Sequence, residues 1–367
     1  MDHDAADKVH ALSNLELAAL LCLVAEQHCI VEADPSQLDA VARELQVLTA
    51  SVFGLSSAVL DCSDKTTVDH FGNDLLVPDS NNAHDESYFS PHVPSHPHPR
   101  SPLEANKSIA NVVIAKNLNQ SRSQVHIQAL ELIRNKRIYT RNAVHAAPKR
   151  FVFIVLLAPD STDELDVHLV SSHTLRFAAP ETNCAQRDQI FISHYHQPED
   201  GLPNLDECGS VDKGDDFDAA SLSSVVRPST TRVGRKTPTF GQDEISSLTK
   251  RIPHIRLSSE VRAYLQNIVV FMRLHRAVAG GVSPQATRHF DLLVRALAPL
   301  HGLDFVTPSL VALAARKIYP HRIILTTPEN ERSLQWGSDI EAVRQMLEGV
   351  VVEDVIDDVL SQVEVPL

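Results

Sequence analysis

The sequence has no run of about 18 apolar residues, so no membrane-spanning helix is expected. It begins Met1-Asp2-His3-Asp4, without the basic start and apolar stretch of a secretory signal. An intracellular, cytoplasmic protein is the expectation. Basic residues are in deficit: 33 Lys and Arg face 47 Asp and Glu, a formal charge of −14. A general nucleic-acid binder needs the opposite balance, because phosphates demand a basic surface. Cysteine is sparse and unpatterned. Cys22, Cys29, Cys62, Cys184 and Cys208 are odd in number and include no C-x-x-C pair. That argues against structural zinc and against a secreted disulfide framework. What is present is apolar material, 43% of the chain. It suffices for two domains, or for one large domain with an appendage.

Periodicity organises the chain. Leu15–Val24 reads as a Leu/Ala-rich helix leading into a buried strand at His28–Glu32. A turn at Ala33–Ser36, a helix over about 37–50 and a strand centred on Ala58-Val59-Leu60 follow. That order points to an α/β unit with a parallel sheet. Ile109–Ile114 and Phe151–Leu157 are further strands, with a helix over about 123–135 between them and a short strand around Ile138-Tyr139-Thr140. Ile190-Phe191-Ile192 is expected to be a short strand. Residues 72–107 hold a Pro/His-rich tract around Ser90–Pro102, where repeated proline forbids helix and interior strand. Residues 199–250 run from acidic to Ser/Thr-rich and basic. Both stretches are expected to be disordered, the second as a linker. Beyond them, Val261, Tyr264, Leu265, Ile268, Val269 and Met272 mark an amphipathic helix, ended by Gly280-Gly281. Ser283-Pro284 and Thr307-Pro308 each open a further helix, the hydroxyl as N-cap and proline at the first helical position. Two short helices, 339–346 and 352–363, close the chain.

Three segments near the C-terminus carry a resemblance. Gly281-Val282-Ser283-Pro284-Gln285-Ala286, Gly302–Pro308 and Ile318-Tyr319-Pro320-His321-Arg322-Ile323 are similar to G-x-S-P-R-A, G-R-x-Y-V-T-P and V-L-x-H-R-L of the MoxR and magnesium chelatase I-subunit group of AAA+ ATPases. The resemblance implies a P-loop-NTPase-like parallel sheet with helices on both faces, followed by a small all-α lid. On that reading residues 8–198 form the core, with 72–107 an insertion, 199–250 a linker and 251–367 the lid domain.

The working groups depart from the family's pattern. Its Walker A segment resembles Glu32–Ala40 here, but Ala33 and Ser36 stand at glycine positions, Asp39 at the lysine and Ala40 at the Ser/Thr. Those types matter: glycine lets backbone N–H groups wrap phosphate, lysine pairs with it, and the hydroxyl holds Mg²⁺. At Walker B, the strand Val112–Ala115 is followed by Lys116 and Asn117 in place of the two acids. An Asn cannot act as a general base. Gln189 stands where an L-D-R-F arginine would be, and Gln285 where the lid arginine of S-P-R-A would be. Ala158-Pro159 replaces a sensor Asn. The pattern implies a non-catalytic, pseudo-ATPase scaffold that contacts other proteins in an AAA+-like homo- or hetero-oligomer, with no cofactor. The alternative is an active ATP-dependent chelatase or MoxR-type enzyme in a hetero-oligomer, using ATP and Mg²⁺.

Other constellations are weaker. His92, His96 and His98 lie in the Pro-rich tract. His194 and His196 alternate along one extended segment, with Glu199 and Asp200 beyond, but sequence spacing gives no third ligand, and no metal site is assigned. Arg134, Lys136, Arg137, Arg141, Lys149 and Arg150 form the main basic cluster, expected to be a solvated face.

Overall fold

The structure, a computed structural model, describes residues 7–78, 107–140, 143–158, 189–209 and 238–366. Helix α1 (Asn14–Ala25) leads to strand β1 (Cys29–Ala33), helix α2 (Leu38–Ser51) and strand β2 (Ser57–Asp61). Helix α3 (Val68–Asp74) is followed by β3 (Leu76–Pro78), antiparallel to β4 (Lys107–Ile109), and then by β5 (Val112–Lys116). Helix α4 (Ser123–Asn135) comes next, with the paired β6 (Arg137–Tyr139) and β7 (Val144–Ala146) behind it. Strands β8 (Val152–Leu157) and β9 (Ile192–His196) complete the sheet. Helices α5 (Pro203–Gly209), α6 (Gln242–Arg251) and α7 (Ser259–Leu274) follow. Strand β10 (Val278–Gly280), helices α8 (Pro284–Leu300) and α9 (Pro308–Ile318), strand β11 (Ile324–Leu325), and helices α10 (Ile340–Leu347) and α11 (Val352–Gln362) end the described chain.

The sheet is parallel throughout, in the order β2-β5-β8-β1-β9. Parallel strands covered on both faces need apolar residues at every position. The middle strands meet that demand: Val112–Ala115 and Val152–Leu156 are buried without a break. Alternate side chains of β8 enter two different cores. Phe153 and Val155 face Phe71 and Leu132, whereas Ile154 and Leu156 lie with Leu20, Leu45 and Phe290. Burying one such side chain contributes about 1.5–3 kcal/mol, so the face assignment is strongly fixed.

Helix starts follow the expected chemistry. Ser13 and Glu16 form a reciprocal capping box on α1. Ser283 caps α8 and Thr307 caps α9, each with proline at the start of its helix. The α/β sheet with a helical lid is the architecture that the resemblance implies.

Five expectations require correction. Helix α7 ends at Leu274, not at Gly280-Gly281; Gly280 closes strand β10. Gly281 has φ +98°, and a Cβ there would lie 1.8 Å from the Arg322 carbonyl oxygen. The glycine is needed for close approach rather than for ending a helix. The last sheet strand is Ile192–His196 rather than 190–192. Residues 199–250 are not all linker. Asn204 and Leu205 of α5 donate backbone N–H bonds to the Glu44 carboxylate, and α6 buries Ile245 and Leu248. Composition averaged over the whole stretch hid these short amphipathic pieces. Likewise Gly72 and Leu75 are buried, at the edge of the expected insertion. Finally, the lid helices share one continuous apolar core with a face of the sheet, joining Ile268, Phe290 and Val311 to Leu20 and Val31. They do not form a separate body. The Pro/His tract and residues 210–237 lie outside the described residues, as do Cys184 and Arg187. Among the described residues, no helix is long and apolar enough to cross a membrane.

Candidate functional site

Ligands of open α/β sheets bind outside the carboxyl ends of the strands. At that edge β1 passes through a tight turn into α2, with Gln37 N–H donating to the Asp34 carbonyl at 2.8 Å. Ala33 is fully buried at the strand end, Ser36 is exposed in the turn, and Ala40 is half-buried in the first helical turn. No residue of 33–40 takes the left-handed backbone that glycine supplies where a loop wraps phosphate.

Asp39, in the first turn of α2, accepts a hydrogen bond from Lys116 Nζ at 2.5 Å. The same ammonium lies 3.1 Å from Asp61 Oδ2. The sheet register explains the second contact. Asp61 ends β2 directly beside Lys116 at the end of β5. Strand β8 separates β5 from β1, so Lys116 reaches Asp39 across a strand end rather than from a neighbouring strand. Burial alone would lower the Lys116 pKa, but its bonds to Asp39 and Asp61 outweigh that and raise it. The bond from Lys116 holds the Asp39 carboxyl below its ordinary range. Asp39 and Lys116 are therefore an ion pair at neutral pH, and the same ammonium faces a second carboxyl group, that of Asp61, so acids outnumber bases in the cluster. Asp39 also places an anion at the positive end of α2, where such a helix would otherwise attract phosphate. Nearby in β1, Glu32 has its pKa raised by burial and then by Glu353 of α11. Asn117 is left-handed at φ 51°, and its N–H donates to the Leu156 carbonyl at 3.0 Å.

Asp61 is the member of this cluster that motif reading misses. Its signal is positional: in a parallel sheet, an acid ending one strand sits beside the residue ending the next.

Gln189 and Gln285 belong to a different place. Gln189 precedes β9, at its amino-terminal side. Gln285, in the first turn of α8, lies 2.9 Å from His289 Nε2. Arg322, fully buried, donates to His289 Nδ1 at 2.7 Å and also to the carbonyl oxygen of Ile190. Arginine has no acceptor, so His289 Nδ1 accepts and the proton sits on Nε2. The Gln285 atom facing that N–H is the amide nitrogen, so the side-chain amide must turn over to present its oxygen as the acceptor. His321 Nε2 also faces the Ile190 carbonyl at 3.2 Å. Burial, then the charges of Arg322 and His28, push His289 down to about 3. The H-R pair read in the sequence as a lid landmark is thus a buried clamp between lid and sheet.

Arg150 is not part of a solvated face: it donates to the Gln242 carbonyl and the Ser246 hydroxyl, tying α6 to the sheet. Cys22, Cys29 and Cys62 are buried free thiols.

Residues 270–344 match the AAA lid domain. That span contains Gly281, Ser283, Thr307 and Arg322, so the AAA lid includes the glycine approach, both Pro-opened helices and the buried clamp. Over the whole chain, the fold is similar to a solved candidate ATPase from Cytophaga hutchinsonii, with TM-score 0.60 and 14% identity, covering 100% of this chain and 94% of that one. At that identity the likeness concerns the fold alone. Among curated relatives, YeaC of Bacillus subtilis is 25% identical over 202 residues, 54% of this chain and 57% of its own. Maintenance of telomere capping protein 2 of Lachancea thermotolerans is 29% identical over 113 residues, 29% of this chain and 40% of its own. The chain therefore spans about half, or less, of the curated relatives it matches.

Proposed function

We propose that this chain is an AAA+-like protein of the MoxR and magnesium chelatase I-subunit type that does not hydrolyse ATP and works by contact with other proteins. The observation that carries the reading is the Asp39–Lys116–Asp61 triad at the carboxyl edge of the sheet. In an active site of this type a lysine on the turn pairs with phosphate, and acids on the strand hold Mg²⁺ and activate water. Here the turn carries the acid and the strand the base, and each satisfies the other. A triphosphate entering this edge meets net negative charge, since like charges repel. It also finds no lysine among the turn residues 33–40.

Protein contact is the remaining use of such a fold, and AAA+-like homo- or hetero-oligomers are its expected setting. The Lachancea relative is named for maintenance of telomere capping; a role of that kind for this chain would run through proteins rather than through DNA, given the net charge of −14. Phosphate release by the purified chain with Mg·ATP is the test. A rate above that of a Lys116→Ala control would replace this reading with an active ATPase.

A further inference from the structure

We propose that His194, His196 and Asp200 form a binding site for one divalent transition metal ion, of which zinc is the type. Residues two apart on a strand point to one face, so β9 presents both imidazoles to the same side. Sequence spacing gave no third ligand. The chain supplies it by folding back in the short 3₁₀ turn Pro198–Asp200. The three donor groups then lie within 4.8 Å of one another. Zinc sits about 2.0–2.2 Å from nitrogen and oxygen ligands, so closure on the ion draws them in by roughly 1 Å.

Two independent observations point to a ligand. His194 is 4% and His196 2% exposed, yet His194 Nε2 and His196 Nδ1 have no hydrogen-bond partner. Leaving a buried polar atom without a partner costs about 1–3 kcal/mol, and two such atoms, one on each histidine of a cluster that also holds a carboxylate, are what a metal satisfies. The carboxylate is also already oriented. Asp200 Oδ1 accepts from Asn14 Nδ2 at 2.8 Å and Oδ2 from the Gln197 N–H at 3.2 Å. Such outer partners hold a metal ligand in place.

The donor set selects the ion. Two imidazoles and one carboxylate suit zinc and its neighbours, whereas Mg²⁺ and Ca²⁺ prefer oxygen alone. Three protein ligands leave a fourth position open. One group opposes the ion: the charge of Lys317 on α9 acts on His194 and Asp200. His196 pairs in register with Ala33, so the site borders the turn into α2.

The test is equilibrium dialysis of the full chain against Zn²⁺, with metal counted by elemental analysis, and against Co²⁺, read by its visible spectrum. The expected result is one equivalent bound, lost in Asp200→Ala and in His196→Gln. Asn14→Ala, whose side chain is exposed, should weaken binding by roughly 10–100-fold, and Lys317→Gln should tighten it. Metal-free melting curves check that the variants fold. Asn14→Ala and Lys317→Gln keep the test valid if the histidine variant does not. A metal-free wild-type chain after dialysis, unchanged binding in Asp200→Ala, or equal binding of Mg²⁺ would overturn the site.

Discussion

Lys116 and Asp39 are 77 residues apart in sequence and 2.5 Å apart in space. A base stands at the strand end and an acid in the helix turn, and the two pair with each other. Replacing Lys116 by Met leaves Asp39 and Asp61 facing each other without their cation. A small stability loss is expected, seen as a lower urea midpoint. Adding Asp39→Asn to that variant should recover part of it. Exchanging the charges in an Asp39→Lys, Lys116→Asp double variant should not create ATP hydrolysis. Ala33 and Ser36 still deny the loop its glycines, and Asn117 still cannot activate water. Phosphate release above background in that double variant, with none from the unaltered chain, would show that these two charges alone separate the chain from a working ATPase.

Gly281→Ala is expected to destabilise the chain by about 3 kcal/mol or more, because left-handed strain adds to a direct clash. The new Cβ would fall 1.8 Å from the Arg322 carbonyl oxygen, which is backbone and cannot rotate away. Gly337, also left-handed but with nothing near its Cβ position, is the control: Gly337→Ala should cost roughly 1 kcal/mol. Thermal denaturation of the two variants distinguishes strain alone from strain plus overlap.

Arg322 clamps the lid to the segment entering β9 through the carbonyl oxygens of Ile190 and Phe191, and donates to His289 within the lid. Removing its guanidinium leaves His289 Nδ1 and the Ile190 carbonyl without that donor, at about 1–3 kcal/mol for a buried polar group left unsatisfied, so Arg322→Met should unfold at lower denaturant. Arg322→Lys should fail to rescue it, since one ammonium cannot reproduce the planar fork. Full rescue by lysine would mean that charge, not geometry, holds the clamp.

Acid should weaken the fold before the carboxylates titrate. Burial lowers His28 from 6.5 to about 4, with Lys136 adding to the shift. Its Nδ1 accepts the Phe153 N–H at 3.0 Å, so the folded ring must stay neutral there. Below pH 6.5 the unfolded chain binds the proton and the folded chain does not. Stability from this residue is complete above the unfolded value and declines as pH falls from about 6.5 to about 4, by roughly 3 kcal/mol. His289, held at about 3, adds to the loss in the same direction. Urea unfolding at pH 7 and pH 4.5 should show the drop, and His28→Asn should flatten its slope.

The sheet was legible because its strands are buried on both faces. Val112–Ala115 and Val152–Leu156 are unbroken apolar runs, and such runs have few other uses. The Ser-Pro and Thr-Pro helix starts were legible because capping is local chemistry. The helices α5 and α6 were not, because each is short and owes its place to distant partners: Glu44 for α5, and the Arg150 side chain with the apolar core for α6. At the candidate site, Asp39 and Lys116 could be named from aligned motifs. Asp61 could not, because its role depends on strand register, and Asp200 joins His194 only once the chain has turned. The resemblance sets Gln189 and Gln285 at arginine positions. Gln285 also joins a buried hydrogen-bond chain with His289 and Arg322 that no motif records.

Isothermal titration of the purified chain with Mg·ATP, followed by an assay for released phosphate, bears most directly on the proposed loss of catalysis. The triad predicts no heat of binding at micromolar to low millimolar nucleotide and no phosphate above background. Micromolar binding accompanied by phosphate release would contradict it and establish a working nucleotide site.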